Sequence, residues 1–231
     1  MNKYDLLFLI LVLFVSGCSS APHNENDEHL KLISAIRDHD LDRVKSIVAA
    51  GNVDLDPPTR PNYVNKALAY SSIYGDLEIV KYILAQGVDI DGRISYGGTA
   101  LLRASEIGKN DVAEFLIRAG ADVNIANAFG ISSMVGYAIT CNTGLIDLAL
   151  EYGGDIDLAH KMTVSTGYGE LAYNPIQWAV LKGELECVKH LVSKGAATNV
   201  ISRDNETLLE MAIKQGNAEV IAFVESKFEH R

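Results

Sequence analysis

Metal-ligand and nucleophile motifs are missing from this chain. Six histidines are scattered along it, and none pairs with a second at the spacing of a His-Glu-x-x-His helix. No Gly-x-Ser-x-Gly elbow and no phosphate-binding Gly-rich loop occur. Basic residues are also short: 20 Lys and Arg stand against 30 Asp and Glu, for a net charge of -10. That balance excludes a nucleic-acid partner, whose affinity would come from Lys and Arg on phosphates. It leaves solubility and, for a partner, a basic surface. A membrane-spanning run is lacking too. The one long apolar stretch, Leu6 to Val15, is about half the roughly 20 residues a bilayer needs.

That stretch makes better sense as the apolar core of a secretory signal, with Lys3 before it. Val15-Ser16-Gly17-Cys18 follows. It resembles the lipobox of bacterial lipoproteins, which implies cleavage before Cys18 and a diacylglycerol on its sulfur. Only a thiolate makes the thioether, and small residues before the cut fit a narrow peptidase pocket. Asp5 sits oddly in a region that is usually basic. Residues 19–28 are polar and suit a flexible tether. The mature charge stays at -10, because Lys3 and Asp5 leave together. The resemblance, with Ser19 after the cysteine, implies an outer-membrane lipoprotein facing the periplasm. The division expected is 1–17 signal peptide, 18–28 lipidated cysteine and tether, and 29–231 the folded part.

With 48% hydrophobic residues, the folded part has enough apolar side chains for a core. One short string recurs through it. Gly75-Asp76-Leu77-Glu78-Ile79-Val80 is echoed by Gly183-Glu184-Leu185-Glu186-Cys187-Val188. Weaker copies start at His39, Gly108 and Gly216, and Cys141 takes the glycine slot of another. A second glycine follows twelve positions on, at Gly51, Gly87, Gly120, Gly153 and Gly195. Gly87 to Gly120 and Gly120 to Gly153 are both 33 residues. The period, with Gly97-Gly98-Thr99-Ala100-Leu101-Leu102 and Asn174-Pro175-Ile176-Gln177-Trp178-Ala179, resembles ankyrin repeats. The resemblance implies an all-α ankyrin-repeat solenoid of about six helix-turn-helix repeats with short β-turn loops. Repeats are expected over about 29–56, 62–92, 95–127, 128–160, 171–202 and 204–231.

Physics supports the pattern. Thr at the head of a first helix caps free N–H groups, and Pro suits its first turn. Ile79, Val80, Ile83 and Leu84 form one apolar stripe that a single repeat cannot bury, so neighbours must stack. The first and last copies are charged, as end caps are. The fourth copy is the poorest, with Ile131-Ser132-Ser133-Met134-Val135-Gly136 in place of the Thr-Pro-Leu-His stretch, and its first helix is expected to be the least regular. Extra residues fall near Asp56–Pro61 and between His160 and Tyr173, where Met162 to Gly169 could project as a hairpin.

Two features carry competing explanations. Asp89-Ile90-Asp91-Gly92 resembles the start of a calcium loop, but the third acid and the distal Glu are absent, and Asp54/Asp56, Asp122/Asn124 and Asp155/Asp157 occupy the same slot in other repeats. Their recurrence in one slot assigns them to turn backbone between repeats. Cys141 and Cys187 remain after Cys18. A disulfide is open to them in an oxidising compartment, while their offset register favours two separate semi-buried thiols. The acids Asp42, Glu78, Asp111, Glu186 and Glu219 share one position and suit a solvated helix face.

In ankyrin arrays the turn tips and first helices line a concave groove, so the resemblance places partner contacts there. Tyr63, Tyr96 and Phe129 fall at one tip position, 33 apart, with Tyr173 near the equivalent place. Tyr70, Arg103 and Trp178 share an inner-helix position, followed by Tyr74 and Ile107. Tyr, Trp and Arg dominate binding hot spots, although a tip aromatic can equally pack its own hairpin. No catalytic residue, metal or cofactor is expected. The partner implied is a protein, met by a chain that is a monomer when free. Small ankyrin lipoproteins resemble immunity proteins that occlude the active site of type VI secreted phospholipase-type effectors. An envelope scaffold or catalase-supporting stress factor is the alternative of the same class. A lipoprotein hydrolase is the alternative of another, and no nucleophile-base pair favours it.

Overall fold

Turn chemistry and apolar periodicity together build a series of short helix pairs. The computed structural model describes residues 28–56, 66–159, 173–202 and 204–228. The expected signal segment, Cys18, Tyr63 and Met162 to Gly169 lie outside the described residues. Two compact units divide the chain, one ending at Ala121 and one starting at Asp122.

The first unit holds α1 (Glu28–Arg37), α2 (Leu41–Ala49), α3 (Ala67–Tyr74), α4 (Leu77–Leu84), α5 (Ala100–Glu106) and α6 (Asn110–Arg118). Consecutive helices pair as hairpins, and like helices stack: α1 on α3 on α5, and α2 on α4 on α6. The apolar stripe of α4 does what its spacing requires, with Ile79, Val80 and Ile83 fully buried. Three helix starts are capped by side chains. Asp40 accepts from the Arg43 N–H, Asp76 from Ile79 and Thr99 from Leu102. Each such cap contributes about 1 kcal/mol.

The second unit repeats the scheme with α7 (Ser133–Ile139), α8 (Thr143–Glu151), α9 (Pro175–Lys182), α10 (Leu185–Ser193), α11 (Leu208–Gln215) and α12 (Ala218–Phe228). Here α7 packs on α9 and α9 on α11, while α12 packs on α10. Asn174 with Gln177, and Thr207 with Glu210, form reciprocal capping boxes, and Pro175 opens α9 as its fixed φ favours. The fourth copy departs from expectation. Its first helix, α7, is regular and wholly buried. Ser132 replaces Thr as the cap, accepting from the Val135 N–H. Tyr137 fills the interior where the third, fifth and sixth copies carry Ala104, Ala179 and Ala212, so bulk lost at Gly136 returns one residue later.

The paired acids serve the turns. Asp54, Asp89, Asp122 and Asp155 each accept from the backbone N–H two residues on, at 2.8–3.0 Å. The second member of several pairs ties one repeat to the next. Asn124 donates to Gly153 O and accepts from the Asp155 N–H, both at 2.9 Å. Asp157 accepts from Ala197 N–H, and Asp56 pairs with Lys66. Asp42, Glu78, Asp111, Glu186 and Glu219 are all exposed on outer helices.

Candidate protein-binding site

In the first unit the inner helices bring three aromatic or cationic side chains together. Arg37, on α1, donates to the Tyr70 hydroxyl at 2.8 Å and lies 5.8 Å from the centre of the Tyr74 ring. The two tyrosine rings are 4.6 Å apart. Tyr70 is 2% exposed, so it is a support inside the stack, while Tyr74 is half-buried. Arg37 was legible only as an end-cap charge. The longer spacing between the first two copies hid its place beside the tyrosines.

Arg103 is also inside. It pairs with Glu106 one turn on at 2.6 Å, and both side chains are about nine-tenths buried. Burial pushes the Glu106 carboxyl up, and the charge and hydrogen bond of Arg103 only partly pull it back. Gly98 makes room for this arrangement, since a Cβ there would sit 2.6 Å from Arg103 Nη2.

What this unit offers to solvent is Tyr96, 36% exposed at the turn tip, and Ile107, 37% exposed where α5 ends. The tip, Ser95–Gly97, is closed by Ile94 N–H donating to Gly98 O at 2.9 Å. Tyr96 stands at φ 58 and ψ 20, in the left-handed region. A bulky side chain there costs of order 1–3 kcal/mol, and such strain concentrates at functional sites.

In the second unit Phe129 is half-buried at its own tip, held by its N–H to Asn127 Oδ1 at 3.0 Å. Tyr173 and Trp178 meet edge to face with centroids 5.8 Å apart, and the Tyr173 hydroxyl bonds Asp204 at 3.0 Å. Both are buried, at 3% and 6% exposure, and the Trp178 indole N–H has no acceptor. Tyr70, Arg103, Tyr173 and Trp178 therefore hold the fold around the surface and do not stand out from it. Of the contacts expected from sequence, Tyr96 and Ile107, with the partly open Tyr74, remain reachable in the first unit, and Phe129 is partly open in the second.

Farther round the same unit, Asp147 on α8 meets His190 at 2.8 Å and Lys194 at 2.9 Å. Desolvation raises the Asp147 carboxyl, but hydrogen bonds from Lys194 and His190, with their charges, outweigh it and hold it below the usual range. This cluster joins consecutive outer helices. Among the described residues no group of three metal-ligating side chains converges.

Capped helix pairs stacked like on like, with polar turns bonding neighbouring copies, call for comparison with repeat proteins. A family model described as ankyrin repeats (3 copies) matches residues 12–127 and 136–228. No curated protein is similar enough in sequence to count as a relative. Among solved structures, a chain from a predatory endopeptidase of Bdellovibrio bacteriovorus in complex with an immunity protein superposes with a TM-score of 0.71. The match has 24% identity and covers 85% of this chain and 97% of that one. At that identity the likeness is one of fold. The family model spans most of the sequence, and the helix pairs it describes are those observed, so the chain belongs to the ankyrin-repeat family.

Proposed function

We propose that this chain is a lipid-anchored envelope protein with no catalysis of its own, which binds a secreted antibacterial hydrolase and neutralises it by covering its active site. The observation that carries the reading is Tyr96: an aromatic held exposed, at the cost of a left-handed backbone, on the tip of a repeat whose inner-helix Leu101, Leu102 and Arg103 are buried. The complex in which the structural neighbour was solved, an endopeptidase with an immunity protein, supports an enzyme as partner. The likeness to small ankyrin lipoproteins supports a phospholipase-type effector of type VI secretion. Both hydrolytic activities therefore belong in the assay.

The mature protein, used to capture partners from periplasm, should retain one hydrolase and suppress its activity. Tyr96→Asn and Ile107→Ser should each weaken capture about 10- to 100-fold, as loss of roughly 1.4–2.7 kcal/mol would. Their melting should hold, since Asn tolerates the left-handed region. Glu78→Ala, on an exposed outer helix beside Lys81, should change little. Undiminished capture by both groove variants would refute the tip-centred surface. Capture without loss of enzyme activity would refute neutralisation.

Anchoring rests on Cys18. The wild-type chain should incorporate labelled palmitate and follow the membrane fraction, and the Cys18→Ser protein should do neither. Labelling that survives the substitution removes the anchor from the proposal.

A further inference from the structure

Cys141 and Cys187 are free thiols, as their register favoured, but the fold brings them to one place. Cys141 lies in the turn between α7 and α8, and Cys187 on α10 of the following repeat. One carbonyl locates both. Ala138 O accepts from the Cys141 backbone N–H at 3.4 Å and from the Cys187 thiol at 3.4 Å. The Cys187 sulfur and the Cys141 backbone nitrogen thus lie on the same carbonyl oxygen, across the boundary between two repeats. Both are reduced in this structure.

A second observation concerns the Cys141 backbone. It is left-handed, at φ 51. The same slot is glycine in the copies at Gly108, Gly183 and Gly216, with φ of 73, 74 and 92, and His39 in the first copy, with φ of 57. Glycine adopts that conformation without strain, and a side chain there is costly. A thiol replaces the easy residue at the one turn that faces another thiol.

We propose that Cys141 and Cys187 form an intramolecular disulfide when the protein meets a disulfide oxidant, clamping the α7–α8 turn to α10 and so one repeat to the next. Exposure sets the order of events. Cys141 is half-buried and Cys187 fully buried, so the oxidant reaches Cys141. The Cys141 thiol loses its proton and attacks one oxidant sulfur, forming a mixed disulfide and releasing one thiol. Cys187 then loses its proton and attacks Cys141 Sγ, expelling the second oxidant thiol. Two protein thiols are oxidised and one oxidant disulfide is reduced to two thiols. The clamp closes a loop of about 45 residues, long enough to restrict the unfolded chain strongly.

The test treats the full chain with oxidised glutathione and maps cysteine-containing peptides, so that Cys18 is read apart. Expected are a monomer lighter by two hydrogens, one peptide pair joining Cys141 to Cys187, and a melting temperature raised by about 6–12 °C and restored by reductant. Cys187→Ser should abolish the joined pair. So should Cys141→Gly, which suits the left-handed turn and preserves the fold. Two outcomes overturn the clamp: both thiols still alkylating after oxidation and unfolding, or oxidation that yields only glutathione adducts or intermolecular dimers in a protein that stays folded.

Discussion

Arg103→Leu should destabilise the protein by about 3–5 kcal/mol at neutral pH, which is the cost of removing one partner of a buried ion pair. Glu106 would keep its place on α5, screened from water, without the guanidinium 2.6 Å away. Burial already holds its carboxyl above the usual range, and loss of Arg103 removes the groups that oppose this. The sign of the pH dependence follows. A carboxyl whose folded pKa is raised favours the folded state most below its unfolded pKa, and that advantage disappears as pH rises through the folded value. The variant should therefore regain stability on acidification, as Glu106 takes up a proton, and do so at higher pH than the wild type. Arg103→Leu combined with Glu106→Leu should recover most of the loss, because neither charge then needs water. Urea melts from pH 5 to 8 would read all three proteins. Equal stability of wild type and Arg103→Leu would mean that Glu106 is hydrated, and that Arg103 is free to serve a partner.

Trp178→Ala is expected to cost about 3–5 kcal/mol through lost burial and the cavity left behind. The edge-to-face contact with Tyr173 adds to that. A fall in melting temperature of roughly 10 °C follows for a domain of this size. Trp178→Phe separates packing from surface effects. It loses volume, but it also removes an indole N–H buried without an acceptor, a group that costs about 1–3 kcal/mol to bury. The two changes offset, so Trp178→Phe should melt within a few degrees of wild type. Partner capture by Trp178→Ala, measured below its melting temperature, should change less than capture by Tyr96→Asn. Normal melting with lost capture would instead place the indole directly in the interface.

Much of the repeat was legible because it is local. Thr99, Asn174-Pro175 and Thr207 act within one helical turn of themselves, and their hydrogen bonds are those that capping chemistry predicts. The paired acids were legible for the same reason, since each bonds the backbone two residues on. The fourth copy misled where local pattern was the only guide. A weak match to Thr-Pro-Leu-His says nothing about volume, and α7 is kept regular by Tyr137 filling the interior.

The candidate site divides along the same line. Tyr70, Arg103 and Trp178 share one repeat position, and nothing in their spacing distinguishes a side chain facing solvent from one closed over by its neighbours. Arg37 on α1 binds Tyr70, Glu106 neutralises Arg103, and Tyr173 stands against Trp178. The first and last of those partners come from outside the residue's own helix. The sequence by itself determined the period, most of the helix starts and the solvated outer acids, because each depends on residues a few positions apart. Only the tertiary structure decided which inner side chains remain reachable and that Cys141 faces Cys187, because stacking sets one repeat against the next at an offset that counting along the chain does not contain.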